Sequence, residues 1–304
     1  MTPWYLKLHR WTALLFSLPL VIVLGTGLVM SIEPWLVTQA IKPGSLGADR
    51  LQAVLAQHDP QGRAGAISYR SYDGTLTIGR GGSGKIVDAP TGTTQAAPSA
   101  LADTLTTMRR THEHFVFDLG WVVTACSFAM LALALLGVLM GWPRIRNTLS
   151  GWHKAMAWGL LPLIVLSPLT GLLMTYRVTF VGTPAGGRPE GAPLTLKQAV
   201  AVAGASHDLS SLIWMRTVGG RMTMRIVENG EYKLYAVTRA GTAALPRNWP
   251  RLWHEGNFAG GWSSLMNLVI SLAMLGLLTT GGWIWLRRKL RQSRTPATQA
   301  VPAE

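Results

Sequence analysis

Leu8-His9-Arg10-Trp11 opens an apolar run that continues from Thr12 to Ile32 and meets no charged residue until Glu33. That is about the 20 apolar residues needed to cross the hydrocarbon core of a bilayer. A histidine thus stands at the mouth of a membrane span, beside an arginine and close to a tryptophan. Trp152-His153-Lys154 opens another run in the same way. Superposing His9 on His153 lays Thr26-Gly27-Leu28-Val29-Met30 over Thr170-Gly171-Leu172-Leu173-Met174. The chain contains an internal duplication, and each copy carries its histidine.

Of the 304 residues only 14% are charged, too few for a soluble protein of this size, while 48% are hydrophobic. The uncharged residues concentrate in four runs, Thr12–Ile32, Leu119–Trp142, Ala155–Tyr176 and Trp262–Leu286. Each is long enough to span, so the expected fold is an all-α integral membrane four-helix bundle. The net charge of +14 would suit nucleic acid, but its placement argues for none. Lys7 and Arg10 precede the first run, and Arg144, Arg146 and Lys154 lie between the second and third. Arg287, Arg288, Lys289, Arg291 and Arg294 follow the fourth. By the positive-inside rule these segments face the cytoplasm, which puts both termini there.

The transmembrane segments are therefore expected within residues 1–32, 119–142, 155–176 and 262–286. A cytoplasmic loop falls at 143–154 and a basic cytoplasmic tail at 287–304, leaving 33–118 and 177–261 outside. The first run is too long for a cleaved signal peptide and shows no small-x-small cleavage site. The lone Cys126 makes no intramolecular disulfide, and no Cys-x-x-Cys-His haem attachment motif occurs.

The two outer segments read as small α+β modules. In the first, Leu51–His58 predicts a short helix, and Gly65–Arg70 and Thr75–Arg80 alternate like strands around Tyr72-Asp73-Gly74. Residues 81–99 read as a loop, and 100–111 resume helical character. In the second, Leu194–Ala205 predicts an amphipathic helix after the Pro/Gly-rich linker 182–193. Ile213–Thr217, Arg221–Val227 and Tyr232–Thr238 predict three strands, turned at Gly219-Gly220 and Asn229-Gly230. The second and fourth runs also correspond, Gly120-Trp121 to Gly261-Trp262 and Gly141-Trp142 to Gly282-Trp283. Tryptophans at the run ends suit membrane-interface anchors.

Of the seven histidines, His58 and His207 fall in the modules and read as solvated. His9 and His153 fall at the inner ends of spans; His112 or His114, and His254, fall at outer ends. Any one of them can be a snorkelling interface residue. Together they form two pairs of imidazoles, one pair near each face, which suits axial ligation of haem between helices. Zinc prefers four ligands, and copper favours sulfur that does not cluster with these histidines. Haem needs two axial side chains, an apolar slot, and cations for its propionates. Arg10, Lys154, Arg109, Arg110 and Arg251 each lie within a few residues of a histidine. Gly25, Gly27, Gly137, Gly171 and Gly276 suit close helix packing or room for a flat macrocycle.

Leu8-His9-Arg10-Trp11, Thr26-Gly27, Gly141-Trp142-Pro143-Arg144, Trp152-His153-Lys154 and Trp253-His254-Glu255-Gly256 together resemble the PepSY-associated transmembrane family. Residues 194–243, and more faintly 46–90, resemble PepSY domains. The family includes inner-membrane ferric-siderophore reductases with two b-type haems. The resemblance implies His9, His153 and His254 as ligands, with a fourth at His112 or His114. His112 matches by the glutamate that follows it, His114 by its spacing to Gly120. The implied function is an inner-membrane di-haem b oxidoreductase that passes electrons to a periplasmic acceptor such as a ferric siderophore. No Gly-x-Gly-x-x-Gly fingerprint follows a strand, so the electrons come from a quinol or a cytoplasmic reductase. A non-enzymatic PepSY anchor or regulator of a periplasmic partner is the alternative. A transporter is disfavoured because no charge lies within the apolar runs.

Overall fold

The first copy of the repeat folds as helices α1 (Pro3–Leu15), α2 (Ser17–Met30), α3 (Glu33–Ala40) and α4 (Ala48–His58), then strands β1 (Ala66–Arg70), β2 (Thr75–Ile78), β3 (Lys85–Asp88) and β4 (Thr94–Gln95). Helices α5 (Ala100–His114) and α6 (Gly120–Leu139) complete it. The second copy runs α7 (Leu149–Gly159), α8 (Leu161–Thr175), α9 (Leu196–Gly204), β5 (Leu212–Val218), β6 (Arg221–Glu228), β7 (Glu231–Thr238), β8 (Gly241–Ala244), α10 (Trp249–Glu255) and α11 (Gly261–Arg294). This computed structural model describes residues 3–79, 84–143, 145–181 and 194–294. The linker 182–193, Arg144 and residues 295–304 lie outside the described residues. Met1–Leu28, Thr111–Leu172 and Val269–Glu304 form one compact unit, and Val29–Arg110 and Leu173–Leu268 form another.

In the first unit each histidine-bearing run is broken at the same place. Helix α1 gives way to α2 at Phe16, and α7 gives way to α8 at Leu160. Superposing His9 on His153 also superposes these two breaks. Proline explains both, since it lacks an N–H and its ring presses on the carbonyl four residues back. Pro19 sits early in α2 and opposes Leu15, and Pro162 sits early in α8 and opposes Trp158. Between α7 and α8 the axis turns by 63°. Ser17–Ala40, Gly120–Leu139 and Gly261–Gln292 are long and apolar enough to cross a membrane; α7 with α8 adds a fourth span only if the bent pair counts as one. The regular all-α four-helix bundle expected from the uncharged runs is thus corrected. An uncharged run reports apolarity and does not by itself show whether it forms one straight helix.

The second unit corrects the fold class further, because it holds a single eight-stranded antiparallel sheet rather than two small separate modules. The strand order is β4-β3-β2-β1-β5-β6-β7-β8. Each copy contributes a helix followed by a four-stranded meander, and the two meanders join through their first strands. Ile67 pairs with Met215 at that seam, flanked by Ala66–Arg216 and Ser68–Trp214. Apart, β1 and β5 would each present a row of unpaired backbone groups; pairing removes both edges. The edges that remain are the two-residue β4 and the four-residue β8.

One apolar core serves both halves. Helix α4 packs against α9. Leu51 and Val54 of α4, Leu196 and Val200 of α9, Ile67 and Met215 are all within 1% of complete burial in that core. The α9 helix begins with a capping box in which Thr195 and Gln198 satisfy each other's backbone N–H. Residues 81–99, expected as loop, contain β3 and β4, and β8 is a further strand beyond those expected. On β6 both faces are buried, and Arg225 and Thr223 lie on the face opposite Met222, Met224 and Ile226.

Candidate functional site

Within the first unit a cavity of about 650 Å³ is lined by both His9 and His153. That volume lies in the ordinary range for small-molecule and cofactor sites. Helix α1 brings His9 to it and α7 brings His153, each from the short amphipathic segment that precedes the proline break. The two imidazoles lie within electrostatic range of each other. The remaining wall is mostly aliphatic, with Leu20, Leu24, Leu133, Ile164, Met274 and Leu277 among it. Arg10, Lys154 and Arg288 also line the cavity, and no carboxylate does so among the described residues. Gly137 lines it too, and a Cβ built there would meet nothing within 4 Å.

The two histidines differ in how they are held. His153 Nδ1 is bonded to the Thr280 hydroxyl at 2.9 Å, with Gly281 directly beneath the ring. A Cβ at Gly281 would stand 3.4 Å from His153 Cε1. His9 lies against the Leu133 backbone, and among the described residues its buried Nδ1 has no hydrogen-bond partner. A buried polar atom left unpaired is costly, and each such case in a folded chain asks for a cause. Two imidazoles on one apolar cavity suit a centre that takes two nitrogen ligands. Among the described residues no three His, Cys, Asp or Glu side chains converge as a metal site would require.

His112 and His114, the two candidates on α5, fall in different surroundings. His112 is half-buried, and its Nδ1 lies 3.0 Å from the Val23 carbonyl and 3.2 Å from the Thr26 hydroxyl. A Cβ at Gly27 would approach His112 Cε1 to 3.2 Å, so glycine lets the ring sit against α2. His114 is exposed, and its backbone packs near Gly120. Geometry thus gives His112 a defined orientation that His114 lacks.

His254 belongs to the second unit, on α10. Asn248 caps that helix by accepting from the Arg251 N–H, and Gly256 ends it in a left-handed conformation at φ +66°. A side chain at Gly256 would strike Asn267 Nδ2 at 2.6 Å, and that amide donates to the His254 carbonyl at 2.7 Å. Glu255 ties the helix to the sheet, accepting from Arg225 on β6 at 2.6 Å and from Asn257 at 2.7 Å. Burial alone would raise the Glu255 carboxyl, but the Arg225 and Arg251 guanidiniums hold it down at about 2. Tyr232 stacks under Arg225 at 4.9 Å, and burial pushes its phenol well above the ordinary range. Arg251, expected as a cation for a ligand, lies 3.7 Å from Glu255 and lines a smaller cavity of about 310 Å³. Arg109 is ion-paired to Glu33.

Sequence reading missed Thr280 and the Arg225–Glu255 pair. Thr280-Gly281 was legible as a Thr-Gly dipeptide like Thr26-Gly27 and Thr170-Gly171; nothing in the sequence links Arg225 to Glu255. His58 and His207, expected to be solvated, are hydrogen-bonded instead. His58 Nε2 lies 2.8 Å from the Gly92 carbonyl, and His207 bridges Glu228 and Thr242 while packing on Tyr235.

No curated protein matches the chain significantly. The family described as the PepSY-associated TM region matches residues 6–288. The chain is a membrane protein of that family.

Proposed function

We propose that this protein is a membrane electron-transfer protein that holds b-type haem in the cavity between His9 and His153. The observation that carries the reading is the convergence of those two imidazoles on one apolar cavity with three cations and no carboxylate. His9 and His153 would hold the haem iron, and Arg10, Lys154 and Arg288 would supply charge for its propionates. Gly137 leaves space at the wall. Bound haem supplies a one-electron ferric/ferrous couple. The residues of this chain hold it, exclude water with aliphatic side chains, and neutralise its acidic edge. The repeat of histidines argues for a second b-type haem.

The basic clusters favour a bacterial inner-membrane location with both termini in the cytoplasm. Resemblance within the family favours a periplasmic acceptor such as a ferric siderophore, fed by a quinol or a cytoplasmic reductase. The test is a visible spectrum of the purified protein with haem counted by pyridine haemochrome. Two haems per chain support the full reading, and one supports the His9–His153 centre alone. Protein purified from haem-replete cells with no haem overturns it and leaves a PepSY anchor or regulator.

A further inference from the structure

Threonine hydroxyls face the Nδ1 atoms of His153 and His112, and their own hydrogen bonds fix who donates. The Thr280 hydroxyl has one proton, and the Gly276 carbonyl takes it at 2.6 Å. With its proton on that carbonyl, the oxygen accepts from His153, which puts the proton of the 2.9 Å bond on Nδ1. The same holds for Thr26, whose hydroxyl gives its proton to the Ile22 carbonyl at 2.8 Å. His112 Nδ1 also faces the Val23 carbonyl at 3.0 Å, and a carbonyl only accepts. Both imidazoles are thus placed for the Nδ1–H tautomer, with the lone pair on Nε2. The glycine after each threonine completes the arrangement: a Cβ at Gly27 or Gly281 would press on the ring at 3.2 or 3.4 Å.

We propose that Thr26-Gly27 and Thr280-Gly281 are positioning elements that set the tautomer and ring plane of His112 and His153, and that for His153, which lines the cavity, Nε2 is thereby the nitrogen offered to a ligand. The consequence for haem rests on the function proposed above; the tautomer does not. A hydrogen bond accepted from Nδ1–H raises the basicity of the other nitrogen and holds the ring in place, and losing such a partner typically weakens metal affinity by about 10–100-fold. Stronger donation from Nε2 to a bound iron would stabilise its ferric form. Removing the acceptor should therefore weaken haem binding and raise the midpoint potential of the centre that His153 serves.

The experiment compares full-length protein with Thr280→Val and Thr280→Ser in nanodiscs. Three readouts are taken: haem affinity by titration, midpoint potential, and 15N solid-state NMR of labelled histidine before haem is added. Thr280→Val, which keeps the shape and loses the acceptor, should bind haem roughly tenfold or more weakly and raise the potential. Its apo spectrum should lose the His153 Nδ1–H signal, assigned by comparison with His153→Gln. Thr280→Ser should restore all three readouts. Thr26→Val provides an independent case through His112. If Thr280→Val keeps wild-type affinity, potential and tautomer, or if Thr280→Ser behaves like Val, the inference is overturned. If wild type shows the Nδ1–H tautomer yet binds no haem, the functional reading has failed while the positioning role stands.

Discussion

His9 and His153 occupy equivalent positions of the repeat, but the protein holds them differently. His153 is bonded through Nδ1 to Thr280, while the buried His9 Nδ1 has no partner among the described residues. Superposing Gly141 on Gly282 puts Leu139 where Thr280 stands, so the first copy has no hydroxyl to offer there. The glutamates that follow the outer histidines differ in the same sense. Glu255 is largely buried between Arg225 and Arg251, whereas Glu113 after His112 is exposed. The sheet repeats the contrast: the first three strands have 5, 4 and 4 residues in the first copy and 7, 8 and 8 in the second. Duplication preserved the pattern of elements, and constraint has settled mainly on the second copy.

The largest expected effect follows from the histidines. If His153 is the pre-set ligand and His9 the adaptable one, their alanine variants should not be equivalent. His153→Ala should empty the cavity of haem. His9→Ala should retain a fraction of it in a high-spin state held by His153 alone, because an iron with one protein ligand remains bound more weakly. Pyridine haemochrome content together with the visible spectrum reads both. Equal loss in the two variants would break the comparison.

The next effect is in the second unit. Removing one member of a buried, hydrogen-bonded ion pair strands the other charge and costs about 3–5 kcal/mol. Glu255→Gln should approach that cost by abandoning Arg225, whereas Glu113→Gln, at an exposed position, should change stability by less than about 0.5 kcal/mol. Thermal unfolding of the purified variants in one detergent measures the difference. The pH dependence sharpens it. Glu255 is held at about 2 against an ordinary 4.5, so its contribution is complete above about pH 4.5 and is lost as pH falls toward 2. Wild type should lose stability across that window, and Glu255→Gln should lose less.

What could be read in the sequence was whatever repeats locally. The duplicated histidines, the α9 helix with its Thr195 cap, and the β6 and β7 strands all follow from short-range pattern. The joining of two meanders through β1 and β5 was not legible. Ile67 and Met215 are far apart in sequence, and alternation alone shows that a strand has a buried face without naming its neighbour. The bend at Leu160 was written in Pro162 but hidden by the surrounding apolar run. At the site, one cavity is lined by both His9 and His153, the two residues that the repeat superposes. The acceptor for His153 was not visible, since Thr280 and His153 lie on helices whose facing sides only packing decides.

The smallest effect concerns the turns that set strand register. Between β5 and β6 the chain reverses through Gly219 and Gly220, both left-handed at φ +57° and +78°. Consecutive positive φ values match the right-handed twist of the flanking strands. Between β1 and β2 only Gly74 is left-handed, at φ +64°. A Cβ at any of the three glycines meets nothing within 4 Å, so the cost of a side chain is purely one of backbone conformation. That cost is about 1–2 kcal/mol for an ordinary residue and far less for asparagine. Gly219→Ala and Gly220→Ala should each lower stability by about that amount, and Gly219→Asn should leave it nearly unchanged. Gly74→Ala should cost as much as either single change, but the first hairpin offers no second position of the same kind. The double variant in the second hairpin should therefore lose about twice what any substitution in the first turn can, measured by thermal unfolding. If Gly219→Asn is as damaging as Gly219→Ala, backbone handedness is not what holds that turn, and the second hairpin is held by its longer strands alone.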